Sequence, residues 1–145
     1  MKIFDKQNFI QAIIKTKNNF WQSIPILIGV LLLIGLLNNL AGKNFYAKIF
    51  SQNVLADSFL GAIFGSIAAG NPITSYVVGG ELLKEGVSLI AVTAFLLTWV
   101  TVGIVQLPAE SLMLGKKFTW TRNALGFISA IIISFLAWII LKIIL

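Results

Sequence analysis

Residues 54–85 read VLADSFLGAIFGSIAAGNPITSYVVGGELLKE, and how this stretch meets a membrane decides the fold. Its first part, Val54 to Gly70, is apolar and rich in small residues, holds Asp57, and stops at Gly70-Asn71-Pro72. Ile73 to Leu83 resumes as a second short apolar piece, broken by Gly79-Gly80-Glu81. A helix needs about 20 mostly apolar residues to cross a bilayer, and both pieces fall short. Two readings fit: an ordinary span followed by a loop, or a re-entrant helical hairpin whose tip at Asn71-Pro72 lies inside the membrane.

The rest of the chain supplies the membrane. Of 145 residues, 58% are hydrophobic and 11% charged, with a mean hydropathy of +0.94. That is more apolar surface than a water-soluble core can hide, so the solvent is lipid. Upstream, Ile3 to Trp21 places apolar residues at 3/4, 9/10, 13/14 and 20/21, the pattern of an amphipathic helix lying flat in the interface. Residues 1–22 are read as this arm and 23–145 as a single transmembrane domain. A first span runs from Ile24 to about Ala41 and ends in Asn38, Asn39 and Gly42. It begins too late for a cleavable signal peptide and is expected to persist in the mature protein. Downstream, Val87 to Leu107 reads as an unbroken span closed by Pro108, residues 108–122 as a basic loop, and Asn123 to Leu145 as a last span.

Charge bias chooses between the two readings. In the re-entrant model the arm, with four Lys and one Asp, shares a side with Glu110, Lys116, Lys117 and Arg122, a summed charge of +5. Lys43, Lys48, Asp57, Glu81, Lys84 and Glu85 lie on the other side and cancel, leaving Lys142. A full crossing by residues 54–70 blurs this bias. The expected fold is therefore all-α and integral to the membrane: three transmembrane helices, a re-entrant hairpin over about 54–85, and an N-terminal interfacial helix. The N terminus is placed in the cytoplasm and the protein, as a multi-pass chain, in the plasma membrane.

Irregular backbone at membrane depth survives only where protein or a water-filled cavity satisfies it. At the break, Asn71, Pro72, Thr74 and Ser75 offer an amide, hydroxyls and the N-terminal end of a helix, which suits an anionic or carbonyl group. The alternative is a plain turn in which Asn71 caps the next helix. Glu81, if buried, is a coupling group for an ion or proton; otherwise it is a solvated partner of Lys84. On an unbroken helix Trp99, Gly103, Gln106 and Glu110 share one stripe flanked by Thr98 and Thr101, so Gln106 and Thr101 are expected to line a path and Glu110 to be a second coupling candidate. Gly61, Gly65 and Ala69, beside Ala62, Ser66 and Gly70, form two small-residue rows where a neighbouring helix can approach closely.

The chain has no Cys and no His, which removes thiolate chemistry, the usual zinc sites and Ser-His or Cys-His catalysis. Without a nucleophile-base pair or a glycine-rich phosphate loop, neither an enzyme nor a metal or cofactor site is expected. The net charge of +6 points to anionic lipid headgroups in a chain this apolar, and not to nucleic acid.

The run Gly70-Asn71-Pro72-Ile73-Thr74-Ser75-Tyr76-Val77-Val78-Gly79-Gly80-Glu81-Leu82-Leu83-Lys84-Glu85-Gly86-Val87-Ser88-Leu89, with Thr93-Ala94-Phe95-Leu96-Leu97-Thr98-Trp99 and Gln106-Leu107-Pro108-Ala109-Glu110, resembles the small prokaryotic permeases that look like half-size relatives of the ArsP-type permease family. The resemblance covers residues 20 to 145 and is most specific between Gly70 and Glu110. It implies a transporter-like chain equivalent to one of two related halves, pairing with itself as a homodimer. Where the larger members carry a Cys-x-Cys-Gly turn, this chain reads Asn71-Pro72-Ile73-Thr74, so thiol capture of arsenicals does not carry over. The expected function is a homo-oligomeric permease for a small solute. The alternatives are a non-transporting scaffold or accessory subunit, and a passive channel.

Overall fold

The structure, a computed structural model, describes residues 6–41, 49–51, 53–68 and 71–144. Every regular element among them is helical: α1 (Lys6–Ala41), α2 (Val54–Ile67), α3 (Pro72–Lys84), α4 (Leu89–Thr101), a 3-10 turn η1 (Ile104–Gln106), α5 (Leu107–Leu114) and α6 (Lys116–Ile144). The sequence-derived features at Lys43, Lys48, Ala69, Gly70 and Gly42 lie outside the described residues.

Local chemistry explains where each helix starts and stops. The Asn53 side chain accepts from the backbone N–H groups of Leu55 (3.1 Å) and Ala56 (3.5 Å), which caps α2. Asn71 accepts from Ile73 N–H at 2.9 Å, and Pro72 takes the first helical position of α3, where its missing N–H has no cost. At the other end of α3, Val87 N–H donates to Leu82 C=O (3.0 Å) and Gly86 N–H to Leu83 C=O (3.1 Å). This is a Schellman closure, completed by the packing of Leu82 on the cluster that contains Val87. It requires the positive φ of +85° at Gly86. Gly86→Ala is expected to cost about 1 kcal/mol through left-handed strain, read as a lower melting temperature in detergent.

α4 is the central element. α2, α3 and α6 all pack on it, and α2 and α6 also touch each other. Asp57 bonds Ser88, Gly61 lies on Ala91 and Gly65 on Phe95 and Thr98, so α2 and α4 run parallel, side by side. α3 runs back between them in sequence and packs on α4 through Gly79, which faces Val92 and Leu96. Phe50, Val87, Ala91 and Val92 form the apolar core, flanked by Leu60, Leu82 and Leu96. α1 contacts α3.

α2 has 14 residues and α3 has 13, about 20 Å each at 1.5 Å per residue, against about 30 Å of hydrocarbon. Among the described residues, two stretches are long and apolar enough to cross a membrane: Leu89–Leu114 and Lys116–Ile144. The burial pattern agrees with lipid as solvent. Among the described residues the largest fully buried side chains are Asp57, Ser58, Thr74, Ser75, Thr98, Thr119 and Ser134, beside the smaller Ala62, Ala91 and Ala94, whereas Leu125, Ile128, Ile132, Leu136 and Ile140 of α6 face outward. So many large apolar side chains facing outward are unusual for a water-soluble protein.

Two sequence expectations are corrected here, the unbroken span and the basic loop. The span expected over 87–107 is interrupted: Val102 and Gly103 adopt extended backbone, η1 follows, and α5 continues past Pro108 to Leu114. Val102 N–H still bonds Thr98 C=O, while Gly103 C=O takes the N–H groups of Gln106 and Leu107 in a new, tighter turn. The stripe from Trp99 through Gly103 and Gln106 to Glu110 therefore does not lie on one helix. The basic loop at 108–122 is helical: Lys116, Lys117 and Arg122 belong to the first turns of α6, which starts after a corner at Gly115. At the arm, α1 runs as one 36-residue helix through position 22, with Pro25 inside it.

Candidate functional site

Two interruptions are linked through α2. α2 leads toward the break at Asn71, and it also touches η1, which follows the break in α4. The facing position on α6 is Gly126, against Val102 and Thr101. Around these breaks the predicted residues divide by exposure. Thr74 and Ser75 are buried, Asn71 is half-buried, and Pro72, Thr101 and Gln106 are exposed.

The hydrogen bonds say what each is free to do. The Asn71 side chain caps α3, as the simpler reading of the turn anticipated. Ser75 donates to Pro72 C=O at 2.6 Å and Thr101 to Leu97 C=O at 2.6 Å, so both hydroxyls are tied to their own helices. The Thr74 hydroxyl oxygen is buried without a partner among the described residues. It is the group at the break with unspent hydrogen-bonding capacity. The Gln106 side chain folds over Gly103, within about 3 Å of where a Cβ would sit.

The two expected coupling acids are ion-paired and lie toward opposite ends of α4. Glu81 accepts from Lys84 Nζ at 2.8 Å one turn away on α3. Glu110 accepts from Arg122 Nη1 at 2.8 and 2.9 Å, and from Asn123 Nδ2 at 3.3 Å. Asn123 also donates to Thr119 C=O at 3.0 Å. The Glu110 cluster therefore fastens α5 to α6. Glu110→Arg is expected to weaken folding by about 1 kcal/mol, because Arg122 is substantially exposed and the pair is screened. The double variant with Arg122→Glu restores the loss, and a double-mutant cycle of unfolding reads this directly.

No family model, curated protein or solved structure matches the chain.

Apart from Thr74 and Ser75, the most deeply buried polar residues were not among the sequence candidates. Asp57, 0% exposed, accepts from Ser88 Oγ at 2.6 Å through Oδ2, while its Oδ1 has no partner among the described residues. Ser58 and Ser134 hydrogen-bond at 2.8 Å between α2 and α6, and Thr98 sits against Gly65 with its hydroxyl returned to Ala94 C=O at 2.8 Å. One signal for Asp57 was present: it is the single acid in an apolar, small-residue run. Its partner 31 residues away is invisible without the fold. No group of three or more acids, Cys or His that could hold a metal occurs among the described residues.

Proposed function

We propose that this chain is a membrane permease for a small solute, working as a homo-oligomer, with its path at the break between α2 and α3. One observation carries the reading: two helices of about 20 Å, each too short to span, turn back on themselves beside a second interruption at Val102-Gly103. Helices broken at the membrane midplane are how many transporters expose backbone groups to a substrate. The topology that goes with it has three crossings, in α1 from Ile24 onward, in Leu89–Leu114 and in α6. Residues 54–85 form a re-entrant hairpin, the N terminus is cytoplasmic and the membrane is the plasma membrane. The resemblance of residues 70–110 to ArsP-type permeases supports the same reading, with a dimer of the half-size chain as the working unit. Thr74 is the substrate-facing hydroxyl best placed by its chemistry, with Asn71, Gln106 and Thr101 nearby as lesser contributors.

A second reading, a non-transporting scaffold, is favoured by the dry contacts that absorb Ser58, Ser134 and Thr98. Single cysteines separate the two, since the chain has none of its own. Cysteines introduced by Asn71→Cys, Glu81→Cys and Lys116→Cys are labelled from each side of intact vesicles. Transport predicts that position 71 reacts only with small aqueous reagents, from the face opposite position 116. Unreactivity at 71 from both faces favours the scaffold. Ready reaction of 71 and 81 with bulky reagents on one open face makes Asn71-Pro72 an external loop and removes the proposed path.

A further inference from the structure

Asp57 is the one ionisable side chain of α2, and the fold closes it off completely. Its Oδ2 accepts a short hydrogen bond from the Ser88 hydroxyl, and Ser88 is the N-cap of α4 whose side chain makes no capping bond of its own. Its Oδ1 is equally buried and accepts nothing among the described residues. A carboxylate kept from water ordinarily has a cationic partner or several donors. Among the described residues, no such partner is found on the elements packed against α2. α4 carries no ionisable side chain from Leu89 to Thr101, and η1 carries none. On α6, Lys116 and Lys117 lie in its first turn, 17 or more residues before the Ser134 that meets Ser58, Arg122 is held by Glu110, and Lys142 sits over the Trp138 ring at 5.2 Å. On α3, which packs on α4, Lys84 is held by Glu81.

We infer that the Asp57–Ser88 pair is a proton-binding site, and that the proton it takes up is the coupling ion of transport. The proton binds Oδ1, converting carboxylate to carboxylic acid, while Oδ2 keeps the Ser88 hydrogen bond; release returns the proton to water and leaves the carboxylate on the same hydroxyl. A proton fits better than a metal cation, because a metal cation needs several oxygen ligands. Here two side chains, Asp57 and Ser88, supply the oxygens. The buried carboxyl also explains why the ion-paired Glu81 and Glu110 are not needed for this role: their charges are already neutralised by neighbours. An ionisable group enclosed in a membrane protein is costly to keep and points to ion movement.

The coupling role rests on the permease reading, whereas proton binding does not, and two measurements keep them apart. Infrared difference spectra of the full chain in lipid, recorded between acidic and alkaline buffer, are expected to show the C=O stretch of a protonated carboxyl. The band is expected to vanish in Asp57→Asn, which preserves shape and the Ser88 contact. In Ser88→Ala it is expected to persist but shift in frequency, since only the hydrogen-bond donor is gone. A band unaffected by Asp57→Asn, or the lack of any titrating carboxyl band in a folded wild-type chain, overturns the site. Loss of the band on adding sodium at constant pH overturns the choice of ion. In vesicles, a pH gradient is expected to shift the relative labelling of Asn71→Cys from the two faces, and Asp57→Asn is expected to abolish that shift. A titrating Asp57 whose removal leaves the labelling pattern unchanged overturns coupling while leaving the broken-helix path intact.

Discussion

Gly61→Val is expected to be the most damaging single substitution in the protein. A Cβ built at Gly61 lands on the backbone of Ala91, within 2.9 Å of its Cα and closer still to its carbonyl oxygen. Backbone cannot rotate away as a flexible side chain can, so α2 and α4 must separate, and with them the Asp57–Ser88 and Ser58–Ser134 contacts on either side. Overpacking of this kind costs about 3 kcal/mol or more, and there is no rotamer to relieve it. The expected result is a large fall in melting temperature in detergent and a loss of monodisperse protein. Gly80→Ala is the matched control: nothing lies within 4 Å of its Cβ position, so helix propensity alone acts. It is expected to stabilise by about 0.5–1 kcal/mol. Equal damage from both substitutions would mean that close α2–α4 packing is not what holds the fold.

Ser134→Leu is expected to come second, although it makes α6 more hydrophobic. Ser134 is 0% exposed and its hydroxyl contacts Ser58 at 2.8 Å and its own Ile131 C=O at 2.8 Å. Leucine brings extra volume into a closed helix contact and leaves the buried Ser58 hydroxyl without its partner. The two effects together amount to about 2–4 kcal/mol. Ile132→Leu, on the outward face of the same helix, is expected to be near neutral because its side chain lies mostly outside the protein. Thermal unfolding of the two variants in one detergent checks the contrast. A neutral Ser134→Leu would show that α6 does not need its small-residue face.

The helix ends were legible to different degrees. Asn71-Pro72 announces its break because proline cannot donate to a preceding turn and asparagine caps a following one, both local effects. The break at Val102-Gly103 has no such mark. Val, Gly and Ile are ordinary residues of an apolar span, and the interruption is visible only where η1 and α2 come together. Reading 87–107 as continuous consequently put Gln106 on a stripe that does not exist. At the other side of the basic segment, Gly115 marks the corner through φ of +85°, while the lysines after it are sound helix formers and join α6.

Expected site residues followed the same division. The sequence identified Glu81 and Glu110 because charge stands out in an apolar chain, but whether a charge is already paired depends on neighbours. Glu81 meets Lys84 three residues on, a pairing helix geometry allows one to foresee. Glu110 meets Arg122 only because α5 folds back on α6. Asp57 could be seen, but not judged.

By itself the sequence determined that the chain is apolar enough for a membrane protein, that its described parts are helices, and that residues 54–85 form two short pieces broken at Asn71. Those properties come from composition and from interactions within a few residues, which are the same in any fold the chain adopts. Only the tertiary structure decided which polar groups are spent and which are open. Ser88 and Asp57 are 31 residues apart, and Ser58 and Ser134 are 76 apart. Their meeting depends on α2 and α4 closing across Gly61 and Gly65, a row of small residues that marks where a helix can approach but not which helix does.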